Sequence, residues 1–260
     1  MEQLVDFDGK PIRIKRKGLF TPVDGELVFE NGENVLKLSA NLCFMDEDET
    51  IPDPEVYRKA VRDGIRAWEG VYHVFGDQRL RIEITLTEEE RVFDNLYIVP
   101  AGEKNLAFLQ QVAESAPGKR AQHNLDRFIM QNRSATSVGL FGWTTATRKV
   151  IFLSIEDEKF EDYTELYHVV KHEFGHVLGL GDLYCSPEDG LEGVETGLYP
   201  ELDEHLVGGR FYNIVMCDHH GPITDNDVEM VVLAYRDNEM QNYQPFNRYR
   251  KVSEALGRGN

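Results

Sequence analysis

The sequence predicts an α+β protein with a metal site on one of its helices. Three observations point there. Residues 36–44 and 80–86 alternate apolar side chains with period two, as strands with one buried face do. Residues 53–76 and 161–178 carry apolar stripes at spacings of three and four, as core-packed helices do. The second of these helices contains His172-Glu173-Phe174-Gly175-His176-Val177-Leu178-Gly179-Leu180-Gly181-Asp182, which reads HExxHxxGxxD.

In chain order, residues 1–30 read as short strands and turns, with Asp8-Gly9 and Asp24-Gly25 as turn signals. Ile12 and Ile14 alternate with Arg and Lys, which suits a half-exposed strand. Leu36, Leu38, Ala40, Leu42 and Phe44 form the first clear strand. Asp53-Pro54 then opens a helix with an N-cap and a first-turn proline. Its stripe runs Val56, Ala60, Val61, Ile65, Trp68, Val71, Tyr72, and Gly76-Asp77 ends it. Leu80, Ile82, Ile84 and Leu86 give a second strand, and residues 96–99 a short buried one. Residues 101–133 read as an insertion of one or two helices, in which His123 is a surface residue. Two strands, 138–143 and 149–155, follow, joined by a turn at 144–148. After the metal helix, residues 182–209 are rich in Gly, Pro, Glu and Asp and read as a long loop. Thr224 with Asp227 three residues on marks the start of a last helix carrying Val228, Val231, Val232 and Tyr235. The polar, basic tail follows Asn242.

The metal reading rests on helix geometry. Histidines four residues apart project from one face, one turn apart, so both imidazoles reach one Zn²⁺ at about 2.0–2.1 Å. Glu173, directly after the first ligand, is placed to act on a water at that metal without ligating it. Gly179 breaks the helix, and the chain can turn back to bring Asp182 to the same ion. Leu166, Val169, Val170, Phe174, Val177 and Leu178 give this helix an apolar face, so it packs in a core.

HExxHxxG followed at three residues by a ligand resembles the metzincin pattern of zinc peptidases. The resemblance implies a metzincin-like zincin fold. Its parts are a twisted mixed sheet with an adjacent helix and a metal helix, then a small C-terminal subdomain with a Met-turn and a terminal helix. It implies domain bounds too: an N-terminal β extension over 1–34 and a catalytic domain over 35–260. The latter divides into an upper part, 35–181, and a lower part, 182–260. Met216, 34 residues after Asp182, takes the Met-turn position and supports the metal floor. An edge strand above the metal, best matched by residues 138–155, would bind the substrate backbone. Two departures stand out. Asp182 replaces the usual histidine, which makes the site one formal charge less positive and acidifies the water less. Asp218 stands where many members carry a tyrosine, so no tyrosine role carries over. His219 and His220 follow, expected at solvent on a stretch that walls the substrate pocket.

Composition narrows the partners. A formal charge of −18 disfavours nucleic acid and anionic lipid. No stretch approaches the ~20 apolar residues of a membrane span. The N-terminus has no apolar leader, which reads as cytoplasmic, with signal-less export or a trimmed secreted form as alternatives. Three cysteines, Cys43, Cys185 and Cys217, argue against a disulfide framework. Cys217 reads as a buried thiol. The acidic runs 46–49 and 188–189 are the candidates for Ca²⁺, though neither matches a loop pattern.

The function expected is a zinc endopeptidase with about one Zn²⁺ per chain and a protein or peptide substrate. One alternative takes the third ligand from Glu195, Glu201 or Glu204, as thermolysin-like enzymes take a downstream glutamate. Another is a zinc-binding interaction protein that does not cut; the intact Glu173 speaks against it. Substrate preference and oligomeric state have no signature in the sequence.

Overall fold

The computed structural model describes residues 3–15, 21–45, 51–89, 95–100, 104–105, 107, 135–137, 149–153, 163–180, 215–216, 219–239 and 241. Within them the protein is α+β: a seven-stranded mixed sheet and three helices. The elements are β1 (Asp24–Glu30), β2 (Glu33–Phe44), α1 (Pro54–Arg66), β3 (Gly70–Val74), β4 (Gln78–Thr87), β5 (Asn95–Pro100), β6 (Ala135–Ser137), β7 (Lys149–Leu153), α2 (Tyr163–Val177) and α3 (Asp225–Asp237).

The sheet runs β3-β4-β2-β5-β7-β6, with β1 paired to β2 beside that path. β2 is the central rail. β4 lines one edge in parallel, from Asn34↔Leu80 to Asn41↔Thr87. On the other edge β1 runs antiparallel from Glu30↔Glu33 to Asp24↔Ser39, and β5 takes over in parallel from Asn41↔Asn95. The changeover is held by Asn41, which is buried. Its amide donates to Asn95 Oδ1 (2.8 Å) and the Glu89 carbonyl (2.9 Å). Its oxygen accepts from Thr87 Oγ1 (2.7 Å) and Glu89 N (2.9 Å). All four hydrogen bonds an asparagine side chain can make are satisfied, so this polar group is buried without an orphan. β7 is parallel to β5, and β6 pairs antiparallel with β7 at the end of the sheet.

The β1–β2 hairpin turns at Asn31-Gly32, both in the left-handed region (φ 52° and 86°). That is the residue pair whose backbone matches strand twist in a two-residue hairpin. Asp24-Gly25, expected as a turn, instead starts β1, and the physical reason lies across the fold. A Cβ at Gly25 would meet the Tyr235 ring at 2.5 Å, so glycine here makes room for α3. The Tyr235 hydroxyl donates to the Val23 carbonyl at 3.0 Å, and full burial pushes its pKa well above the usual phenol range.

The first helix is shorter than its apolar stripe suggests. Asp53 caps it by accepting from Glu55 N and Val56 N, and it ends at Arg66. Val71 and Tyr72 belong to β3, which forms a hairpin with β4 through residues 75–77. Val-Tyr-His-Val favours a pleated surface, and pairing with β4 wins over continued helix. Val56 and Val71, expected on the buried stripe, are exposed.

α1 and α2 cross closely at Gly64. A Cβ there would lie 2.7 Å from the Tyr167 carbonyl oxygen and 2.9 Å from Val170 Cβ. At the other end of that contact, Tyr163 donates to Asp63 Oδ2 at 2.5 Å, and Lys59 Nζ pairs with the same oxygen. The Lys59 ammonium, and then the Tyr163 hydroxyl, hold the Asp63 carboxyl below its ordinary pKa.

α3 starts as expected. Thr224 and Asp227 form a capping box, and Val228, Val231 and Val232 are buried. Asp225 and Glu229 accept from the backbone of His73 (2.9 Å) and Phe75 (2.6 Å), which ties α3 to the β3 hairpin. The described residues near the N-terminus share this core: Leu4, Ile12 and Ile14 are buried in one cluster with residues of β2, α1, α2 and α3. Ile12 and Ile14 face the core while Arg13 and Lys15 are exposed, the alternation expected of a half-exposed segment, with isolated bridges at Pro11 and Lys15 in place of a regular ladder. Among the described residues no helix is long and apolar enough to cross a membrane.

Candidate metal centre on the second long helix

α2 carries the histidines and also sets their tautomers. His172 Nδ1 lies 2.6 Å from the Val215 carbonyl oxygen, and His176 Nδ1 lies 2.8 Å from the Leu180 carbonyl oxygen. A carbonyl only accepts, so each Nδ1 carries the proton. In the neutral ring that leaves the Nε2 lone pair to bind a metal. The rings sit one turn apart, with centroids 4.9 Å apart and planes at 89°. Metal-binding histidines use this same outer support to fix ring orientation.

The helix end supplies one of those carbonyls. Gly179 adopts φ 100°. Its N–H bonds the His176 carbonyl, and Leu180 N–H bonds the Gly175 carbonyl, both at 3.0 Å. This is a Schellman cap, which needs a left-handed residue where Gly179 stands. The cap folds the backbone so that the Leu180 carbonyl faces His176. Leu180 is fully buried and bridges to Gln241, whose N–H bonds the Gly179 carbonyl at 2.7 Å. The Gly179 helix break expected from the sequence is therefore present, and it positions a histidine as well as stopping the helix.

The second carbonyl comes from the turn at residues 215–216. Val215 and Met216 are fully buried, and Val215 N–H bonds the Pro222 carbonyl at 3.1 Å. Met216 packs against the helix backbone at Gly175, between the two histidines. A Cβ on Gly175 would overlap Met216 Sδ and lie 3.0 Å from Trp68 Cζ2. Trp68, buried at the end of α1, donates its indole N–H to the Lys171 carbonyl at 2.9 Å. Glycine at position 175 thus lets both the indole and the thioether close on the histidine-bearing helix.

His172 and Glu173 are only 7 % and 5 % exposed, and His176 is half-buried. Two imidazole nitrogens with oriented outer partners are a donor pair that suits zinc. Asp182 lies outside the described residues, as do Glu195, Glu201, Glu204, His123, His205, Asp218, Cys185, Cys217 and the acidic runs 46–49 and 188–189. So do residues 138–148 of the expected strand pair. The described edge strand is β6, at Ala135–Ser137, just upstream of that segment.

The sequence reading missed what surrounds the start of α2. His219 and His220, expected at solvent, both turn toward Glu165: His219 Nε2 is 2.9 Å from one carboxylate oxygen and His220 Nε2 is 3.0 Å from the other. His220 is exposed but His219 is half-buried. Lys171, also buried, donates Nζ to the Gly221 carbonyl at 2.7 Å and lies 3.2 Å from His168 Nδ1. Burial, and then the Lys171 charge, lowers the pKa of His168. No local pattern signals the Glu165 contacts, because His219 and His220 lie 54 and 55 residues further along the chain. Cys43 is a free, half-buried thiol whose burial raises its pKa.

No protein family, curated protein or solved structure matches the chain.

Proposed function

We propose that the protein is a zinc-dependent endopeptidase of metzincin-like fold. The observation that carries this is the pair of carbonyl contacts at His172 and His176. Both histidines hold their protons on Nδ1, so in the neutral rings Nε2 is the nitrogen able to ligate a metal, and Glu173 lies between them in the sequence on the same buried helix. Further support comes from the order of elements. β2, α1, β4 and β5 give the strand, helix, strand, strand opening that the resemblance implies, with β1 and β3 added to it; β6 and β7 then precede the histidine helix, and a buried turn at Met216 and the helix α3 follow.

His172 and His176, with Asp182 as third ligand, would hold the ion. When bound, zinc acidifies a water and polarises a carbonyl oxygen. Glu173 takes a proton from that water as its oxygen bonds to the peptide carbon. Glu173 then delivers the proton to the departing nitrogen as the C–N bond breaks. Among the described residues β6 ends the sheet, and an edge strand there is suited to hold an extended peptide by main-chain hydrogen bonds. Val215 and Leu180 keep the two rings aimed while Met216 and Trp68 pack against the helix at Gly175.

The test is hydrolysis of an unstructured casein-type protein by the full chain. Cutting should disappear on removal of zinc with a chelator and return on adding about one equivalent back. Cutting that continues unchanged in excess chelator would refute a zinc peptidase. Zinc binding without cutting of any unfolded protein would favour the non-catalytic interaction protein.

A further inference from the structure

We propose that Glu165, His219 and His220 form a second site for a divalent transition-metal ion, separate from the histidines of the HExxH segment. The three side chains come from two elements, the first turn of α2 and the loop between Met216 and Thr224. One donor atom from each lies within 4.8 Å of the others. The two Nε2 atoms address different oxygens of one carboxylate, at 2.9 and 3.0 Å. Donors around a zinc ion at about 2.0–2.2 Å are separated by roughly 3.3 Å in a tetrahedron. Small rotations of the side chains therefore suffice to admit an ion among them.

The chemistry of the donors names the class of ion. Two imidazoles and a carboxylate suit Zn²⁺ and its first-row neighbours. Ca²⁺ and Mg²⁺ take oxygen ligands, so the imidazoles disfavour them. The Glu165 side chain is 17 % exposed, while those of His219 and His220 are 37 % and 50 % exposed. The carboxylate is thus partly desolvated, and the imidazoles leave an approach from solvent. The surroundings hold the loop in place. Lys171 Nζ binds the Gly221 carbonyl, and the His168 ring lies 4.7 Å from that of His220. The Lys171 charge opposes a cation nearby and the Glu165 charge favours it, which sets this site up as the weaker of the two. Glu165 precedes His172 by seven residues, about 10 Å along a helix axis, so one ion cannot serve both sets. An ion held here would clamp the loop after Met216 onto the start of α2.

The experiment is zinc uptake by the metal-free full chain, measured by equilibrium dialysis and elemental analysis. Wild type should take up about two zinc ions per chain, and both Glu165→Gln and the pair His219→Ala with His220→Ala about one. Adding the His219 and His220 changes to a chain that already carries His172→Ala and His176→Ala should remove the remaining ion. Glu165→Gln changes a charge and almost no volume, so a loss of zinc in that variant with an unchanged circular-dichroism spectrum is not a folding effect. Equal uptake by wild type and the cluster variants would overturn the proposal. The proposal stands apart from the peptidase reading. If His172→Ala and His176→Ala change nothing while the cluster variants still lose an ion, the second site holds and the first falls.

Discussion

Glu173→Gln is expected to keep zinc and lose about 10²–10⁴-fold in peptide hydrolysis, the usual contribution of a positioned general base. The substitution keeps the shape of the side chain and removes its ability to accept a proton from water. The carbonyl contacts that orient His172 and His176 come from Val215 and Leu180 and do not involve Glu173. Zinc affinity should therefore stay close to that of wild type. Comparing kcat/KM with zinc content in the same samples separates the two effects. Full activity in Glu173→Gln would remove this residue from the role of base. Loss of zinc together with activity would make it a ligand or a structural support instead.

Trp68→Ala should cost about 3–5 kcal/mol of folding stability, in the range seen for deletion of a buried aromatic side chain. Typical domains have about 5–15 kcal/mol in all, so the loss is a large fraction. Two effects add. The indole is fully buried, so its removal leaves a cavity between the end of α1 and α2. The Lys171 carbonyl also loses its hydrogen bond from the indole N–H. The cavity opens beside Gly175, at the level of the two histidines, so a lower zinc affinity should accompany the loss. Urea unfolding of both proteins checks the first expectation. A change below about 1 kcal/mol would mean that the site collapses around the missing ring.

Much of this architecture was readable because the signals are local. Alternation marked β2 and β4, and the Thr224–Asp227 box marked α3. The HExxH spacing and Gly179 marked the histidine helix and its end. The signals that failed were ambiguous or non-local. Val71 and Tyr72 fit a helical stripe as well as a strand, and only pairing with β4 decides between them. The sequence reading missed Asn31-Gly32, although it is a local hairpin signal. Asp24-Gly25 was misassigned as a turn because the reason for glycine there is the Tyr235 ring, more than two hundred residues away. The candidate site divides in the same way. The histidines and Glu173 follow from spacing within one helix. Their support does not: the Val215 carbonyl and the Trp68 indole reach α2 from other parts of the chain, as do His219 and His220, which meet Glu165 on its first turn.

The most direct measurement is zinc affinity, by competition with a chelator of known strength, in wild type, His176→Ala and Asp182→Ala. Wild type should bind zinc tightly enough to keep it against the chelator, and each variant should weaken binding by well over tenfold and lose turnover in step. Tight zinc and unchanged turnover in His176→Ala would contradict the central assignment of this helix as the metal-bearing element. Tight zinc in Asp182→Ala alone would leave the two histidines in place and move the third ligand elsewhere.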